Sequence, residues 1–560
     1  MRLKRPAGFS RRRFLQASAA IGALPLLKAC GNSESPLAPT PEVTDPAGLT
    51  PPPLGAPVAF KHGVASGDPL ADRVILWTRV TPPVDVARVP VTVKVSTSPT
   101  LQTLDGSRTV MTDASRDYTV KIDFDGLVPG TTYYYQFESG SAASVVGRTR
   151  TLPAAGVERL RIGVVACSQY SNGFFNAYGA LARRADLDAI LHLGDYLYEG
   201  AGGEGERAHT PVREIISLAD YRERHAQYKT DPDLAELHRQ TPFITIWDDH
   251  ESTDNSYRDS ARNHTEGEPP TGEGVWAIRK AWAQQAYFEW LPIREQQSGN
   301  FDLIYRQFQF GDLVDLLMLD TRLQRDVAPA DFPPPCDASL TDPSRQMLGQ
   351  TQEDWFTGKL RASTARWRVV GSGVMFGQWK VAGAPNGATC GGQFINADQW
   401  DGYQASRDRI FAVLSGAGGM PAVTNNVFLA GDIHSFWALD LTEDPNNPAT
   451  YDPVTGRGVR GVEFVCNSVT SDFPTPSDSG MAFVTANPAI RFIQTAQRGY
   501  LLLDITREAV TGECWLTPSV ATRSTAETFS RGYRSNHGAQ ALTLVTIATV
   551  APANPPASAP

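Results

Sequence analysis

The chain has 560 residues, 41% of them hydrophobic, with 11 Trp, 17 Tyr and 24 Phe, and a net charge of −9. That length and core content exclude a disordered protein and fit two or three domains. The first 29 residues hold seven basic groups (Arg2, Lys4, Arg5, Arg11, Arg12, Arg13, Lys28) and no acidic one, so the body is more acidic than the whole, which argues against nucleic-acid binding.

Ser10-Arg11-Arg12-Arg13-Phe14-Leu15-Gln16, followed by the weakly apolar Ala17–Leu27, reads as a twin-arginine export signal over residues 1–29 and makes the twin-arginine translocase an expected partner. The apolar stretch is too short for a permanent span. Leu27-Lys28-Ala29-Cys30 resembles a lipobox, with Lys28 atypical, and predicts membrane anchoring through a lipidated Cys30; simple cleavage to a periplasmic product is the alternative. Residues 30–57, rich in Pro, Ser, Thr and Gly, read as a flexible tether.

Over residues 58–152, alternating apolar and polar runs predict strands at Val74–Arg79, Val91–Ser96, Tyr118–Phe124 and Thr132–Glu138, and Gly126–Tyr135 resembles the strand-entry segment of fibronectin-type sandwiches. This stretch is read as a fibronectin/Ig-like β-sandwich without catalytic residues. From Arg159 strands alternate with helices. Strands are expected at Leu160–Ala166, Ala189–Leu193, Phe243–Trp247, Ile304–Phe310, Val314–Leu319, Trp367–Gly371, Val427–Ala430, Phe436–Leu441, Val462–Val465 and Tyr500–Ile505. Helices are expected at Phe174–Arg184, Tyr221–Lys229, Pro232–His238 and Gly274–Trp290, the last with a core-facing stripe of Trp276, Trp282, Tyr287 and Trp290. Residues 158–518 are thus read as an α/β catalytic domain of mixed sheets flanked by helices. Residues 519–560 read as a polar tail ending in a disordered Pro/Ala-rich stretch. Sequence order suggests disulfides Cys336–Cys390 and Cys466–Cys514, with other pairings or free thiols open.

Three segments just beyond predicted strands carry the chemistry: Gly194–Glu199, Trp247–Glu251 and Gly431–His434. Ligands collect at that edge of α/β sheets, and converging carboxylates imply cations, because unpaired buried carboxylates repel one another. Cys167, at the end of the first strand, would by default be a core thiol; one βαβ step before Asp195, it reads as a metal ligand. Tyr198 binds as phenolate only to a strongly Lewis-acidic ion. Thiolate, phenolate, imidazole and carboxylate together argue for Fe³⁺, while Asp249 and Asp432 are hard donors suited to Ca²⁺ or Mg²⁺, and Asp195 can bridge. His250 either assists the leaving group or merely orients Asp249; Arg322 either binds phosphate bidentately or pairs with a carboxylate.

Gly194–Glu199, Trp247–Glu251, Leu319-Asp320-Thr321-Arg322 and Gly431–His434 with Trp437 together resemble the alkaline phosphatase D (PhoD-type) family of metallophosphatases, from about Phe60 to Leu516. The resemblance implies a metallophosphatase-type sandwich fold. It implies Fe³⁺ on Cys167, Asp195, Tyr198 and His434, and Ca²⁺ near Asp195, Asp249 and Asp432, with Asn255 a weaker candidate. One departure stands out: family members often carry Gln after the strand at Trp367–Gly371, where this chain has Ser372-Gly373. The expected function is an exported alkaline phosphatase that hydrolyses small phosphate esters through attack by a metal-activated water. A phosphodiesterase or phospholipase-D-like hydrolase, and a lipid-anchored, metal-stabilised binding protein, are the rivals.

Overall fold

The valines of strand Val89–Ser96 (residues 89, 91, 93 and 95) are all fully buried, as period-two alternation requires. They face the core of a two-layer N-terminal region. This computed structural model describes residues 58–83, 87–203, 205–269, 271–329, 337–380, 394–473 and 487–560. The export signal, the tether, Cys30 and the Cys336–Cys390 pairing lie outside them. Among the described residues no helix is long and apolar enough to cross a membrane.

One layer of the N-terminal region joins Gly106–Thr112, Val89–Ser96, Thr132–Ser139, Ala142–Ala143 and Gly147–Arg150. In it the Tyr133 hydroxyl accepts from the Val128 backbone N–H at 2.9 Å and pins the turn before its strand. The other layer is not separate. Val64–Gly67, Arg73–Arg79 and Thr119–Asp125 form one end of a ten-stranded sheet that continues through Phe243–Thr245, Ala189–His192, Arg159–Val165, Gly499–Thr506, Ala509–Leu516, Thr528–Asn536 and Leu542–Val545. Gly67 makes the joint: it pairs in parallel with Phe243, and a Cβ there would sit 2.6 Å from the Phe243 carbonyl oxygen. Just beyond it Asp68 forms a fully buried ion pair with Arg306, at 2.7 Å.

A seven-stranded sheet runs Arg306–Phe310, Val314–Met318, Trp367–Gly373, Asn426–Ala430, Gly461–Val465, Phe436–Leu441 and Ile490–Gln494. Alternate residues divide between two cores. Val427 and Leu429 pack in the same cluster as Ile162 and Val164 of the first sheet; Phe428 and Ala430 pack in a second cluster with Phe356 and Phe411, from helices Gly349–Ala362 and Gln404–Ser415. Helices Asn176–Ala182, Leu218–Lys229, Pro232–Gln240 and Trp276–Trp290 contribute to the first core. In the last of these, Trp276, Tyr287 and Trp290 are buried as expected, but Trp282 is 37% exposed. Six residues past Trp276, it falls well outside that face of a 3.6-residue helix.

Two further expectations fail. The segment read as a polar tail supplies Thr528–Asn536 and Leu542–Val545 to the ten-stranded sheet, and near its end the Ala559 N–H donates to Gln240 Oε1 at 2.9 Å. Backbone pairing holds these strands, and composition does not report it. Cys466 and Cys514 are not bridged: both are free, buried thiols, and Cys514 instead donates weakly to Asn467 Oδ1 at 3.5 Å. They pack as small apolar side chains.

Candidate metal centre

Parallel strands from both sheets end at one crevice. Arg159–Val165, Ala189–His192 and Phe243–Thr245 run parallel in the first sheet; Val314–Met318, Trp367–Gly373, Asn426–Ala430 and Gly461–Val465 run parallel in the second. A parallel bridge between Ala166 and Ser468 ties the two carboxyl edges together. The turns there are tight. Cys167, Asp195, Asp432 and His434 all have left-handed backbone, with φ of 58°, 53°, 61° and 54°. Each such residue costs on the order of 1 kcal/mol, and such strain concentrates at functional sites. Gly194, at φ 106°, lets the turn pass against Asp248, where a Cβ would come within 2.5 Å of the backbone nitrogen.

Ligand atoms of Cys167, Asp195 and His434 lie within 4.8 Å of one another. Tyr198 completes the set: its hydroxyl donates to Asp195 Oδ2 at 3.0 Å and lies 3.3 Å from His434 Nε2. His434 Nδ1 is 2.9 Å from the Asp472 carbonyl oxygen, so Nδ1 carries the proton and Nε2 presents its lone pair to the cluster. Burial pushes the Cys167 thiol and the Tyr198 phenol well up, and Asp195 adds to both; burial likewise raises the Asp195 carboxyl. Burial lowers His434. Three acids that resist ionisation beside a neutral imidazole fit a cation, whose charge would favour the anionic donors. A sulfur, a phenol, an imidazole and a carboxylate suit iron better than Mg²⁺ or Ca²⁺.

A second group, Asp248, Asp249 and Asp432, offers only carboxylate oxygens, and a third joins Asp195, Asp249 and His250. Such oxygen-rich sites suit hard divalent ions. Arg322, fully buried, donates to both oxygens of Asp248, to Asp432 Oδ1 at 2.7 Å and to Asp398. Its guanidinium is thus shared among three carboxylates. Asp249 is opposed by burial but held below the usual carboxylate range by Arg322 and His250. Asn255 donates its backbone N–H to Asp249 Oδ2 at 2.5 Å, while its amide N–H donates to Asp254 Oδ1.

His250 shares Nδ1 with Glu199 Oε2 at 2.7 Å and lies over the Tyr198 ring at 4.1 Å. Burial opposes its charge, but Glu199, Asp249 and Asp195 raise it well above the ordinary histidine value. Glu199 is in turn held by the Asp254 N–H at 2.7 Å and the Thr253 hydroxyl at 3.2 Å. Ser372, at the departure from the family pattern, faces the core: its hydroxyl donates to the Val374 carbonyl and accepts from Trp400 Nε1.

Several participants were quoted in the motifs without a role, or not at all. Glu251 accepts the backbone N–H groups of Asp195, Tyr196 and Asp248 at 3.1, 2.5 and 2.8 Å, so one carboxylate holds two ligand turns together. Ser471 donates to the Tyr198 hydroxyl at 2.6 Å, and Gln399 donates to Asp432 Oδ2 at 2.6 Å. Glu199 and Glu251 close two of the metal motifs; Ser471, Asp398 and Gln399 come from loops with no pattern to mark them.

Residues 162–514 match the model of the PhoD-like phosphatase family, and residues 50–153 match the model of that family's N-terminal domain. The chain belongs to the PhoD-like phosphatase family. Membership makes it a phosphoric ester hydrolase. It is 35% identical over 472 residues to alkaline phosphatase D of Bacillus subtilis (strain 168), covering 80% of this chain and 76% of that protein. Its fold matches a solved structure described as that of PhoD with a TM-score of 0.78 and 33% identity, over 88% of this chain and 93% of the other. Every residue described above as a candidate ligand falls inside the matched catalytic segment.

Proposed function

We propose that this hydrolase is an exported alkaline phosphatase, with Fe³⁺ held by Cys167, Asp195, Tyr198 and His434 and Ca²⁺ held by Asp195, Asp249 and Asp432. The observation that carries the reading is the convergence of Cys167, Tyr198, Asp195 and His434 Nε2 on one buried point. Bound there, the cations would neutralise the phosphate ester and lower the pKa of a water for attack on phosphorus.

The chain's own groups do the rest. His250 gives Nδ1–H to Glu199 and keeps Nε2–H for an equatorial phosphate oxygen or the leaving alkoxide. Arg322 is a positioning residue: it fixes Asp248 and Asp432 at the mouth of the second group rather than touching phosphate. The twin-arginine pattern at Ser10–Gln16 supports export, and Cys30 supports anchoring to a membrane.

Metal analysis and a visible spectrum of active protein test the centre. A phenolate-to-iron charge-transfer band that disappears in Tyr198→Phe is expected; a colourless, iron-free and fully active preparation overturns it. Comparing p-nitrophenyl phosphate with bis-p-nitrophenyl phosphate tests the substrate. Diester turnover more than about tenfold faster, a difference of ~1.4 kcal/mol in barrier, replaces the monoesterase reading with a diesterase one.

A further inference from the structure

A concavity of about 310 Å³ opens at the edge of the sheets opposite the metal centre, lined by Asp312, Arg366, Arg368, Asn425, Arg507 and His537, among others. Strand Trp367–Gly373 begins there and ends at the centre, a path of about 20 Å at ~3.3 Å per residue. The lining comes from both sheets: Asp312 lies in the turn before Val314–Met318, Asn425 just before Asn426–Ala430, and Arg507 in the turn between Gly499–Thr506 and Ala509–Leu516.

The arginines there are not alike. Arg507 is paired, with Asp312 at 2.5 Å and Glu158 at 3.0 Å. Arg366 and Arg368 have no carboxylate within ion-pair distance among the described residues. Arg366 donates Nε to the Arg507 carbonyl; Arg368 donates to the carbonyls of Thr424 and Ser363, at 3.2 and 2.6 Å. The Nε of Arg368 is buried and has no partner. Partly buried guanidiniums satisfied only by carbonyl oxygens lack an anion, and desolvating them without one is costly. His537 stands edge-on to Trp367 at 5.7 Å, and it is depressed first by burial and then by Arg366 and Arg368. Asp312, the acid lining the concavity, is spent on Arg507, as is Glu158; Asp315 sits in direct register with Arg368 on the neighbouring strand and on the same face, with its oxygens taken by Ser363 and Gln309.

We propose that Arg366 and Arg368 form a phosphate-binding site remote from the metal centre, which takes free phosphate or the phosphate group of a small organic molecule. Guanidiniums match the oxygens of phosphate in geometry and charge. The concavity is larger than one phosphate ion, so a small substituent fits as well.

Calorimetric titration of the metal-loaded protein with inorganic phosphate tests this. Two phosphates per chain are expected in the wild type and one in Arg366→Gln, which should bind at the remote site at least tenfold more weakly while hydrolysing p-nitrophenyl phosphate at the wild-type rate. Phenylphosphonate, titrated in parallel, separates the sources: tighter binding than phosphate at this site marks an organic phosphate as the occupant, weaker binding marks the free ion. A wild type that binds one phosphate, or a second phosphate unaffected in Arg366→Gln, overturns the proposal. Should Arg366→Gln fail to fold, wild-type crystals soaked in tungstate decide: a heavy-atom peak between Arg366 and Arg368 supports the site, and an empty map overturns it. Catalysis is read separately, so a failed titration leaves the phosphatase reading intact.

Discussion

Replacing Glu251 by Gln changes one atom in a buried linchpin. The carboxylate is 4% exposed and accepts three backbone N–H groups: Oε2 takes those of Asp195 and Asp248, and Oε1 takes that of Tyr196. An amide keeps an oxygen for the first pair and turns an NH₂ toward the Tyr196 N–H. The Tyr196 N–H loses its acceptor and stays buried, which costs about 1–3 kcal/mol. The same bonds hold the Asp195 turn against the Asp248–Asp249 turn. Loss of such support for ligands typically lowers metal affinity or activity by about 10–100-fold. Urea unfolding followed by Trp fluorescence reads the first effect; kcat/KM for p-nitrophenyl phosphate and bound metal per chain read the second. If Glu251→Gln keeps the wild-type urea midpoint, metal content and activity, the three hydrogen bonds do not organise the centre and the reasoning is refuted.

Gly194→Ala should lose activity and cost about 3 kcal/mol or more, because it places a Cβ 2.4 Å from Asp248 Cβ on a backbone at φ 106°; soluble, fully active protein would contradict the close approach. Arg306→Leu leaves the buried Asp68 carboxylate without its guanidinium and should destabilise by about 3–5 kcal/mol, read by denaturant melts; a change under ~1 kcal/mol would show that Asp68 is otherwise satisfied. His62, lowered to about 3 chiefly by burial, binds fewer protons folded than unfolded, so the stability it protects is complete above its ordinary value of 6.5 and is lost as pH falls toward 3. His62→Leu should remove about 1.4 kcal/mol per pH unit from that acid slope, and an unchanged slope would place the titrating group elsewhere. Chelation should abolish hydrolysis and re-addition of iron with calcium should restore it; restoration by magnesium alone would argue against the sulfur and phenol ligands.

Three of the strands that deliver ligands were legible because each is a short apolar run followed by Gly-Asp or Trp-Asp-Asp, a purely local signature, whereas the strand before Cys167 carries only the apolar run. The helices and the N-terminal alternation were legible for the same reason: burial of one face writes a period into the residues themselves. The tertiary structure alone decided the rest. Glu251 meets Asp195 and Tyr196 across more than fifty residues of chain, and Arg322 meets Asp398 and Asp432 across gaps of 76 and 110. The polar C-terminal strands are held by backbone bonds that any side chain permits, Cys466 and Cys514 stay apart inside a core, and the N-terminal strands join the catalytic sheet through a bare Gly67. Which groups meet across such distances depends on how the elements pack, and a periodicity read one segment at a time carries no record of it.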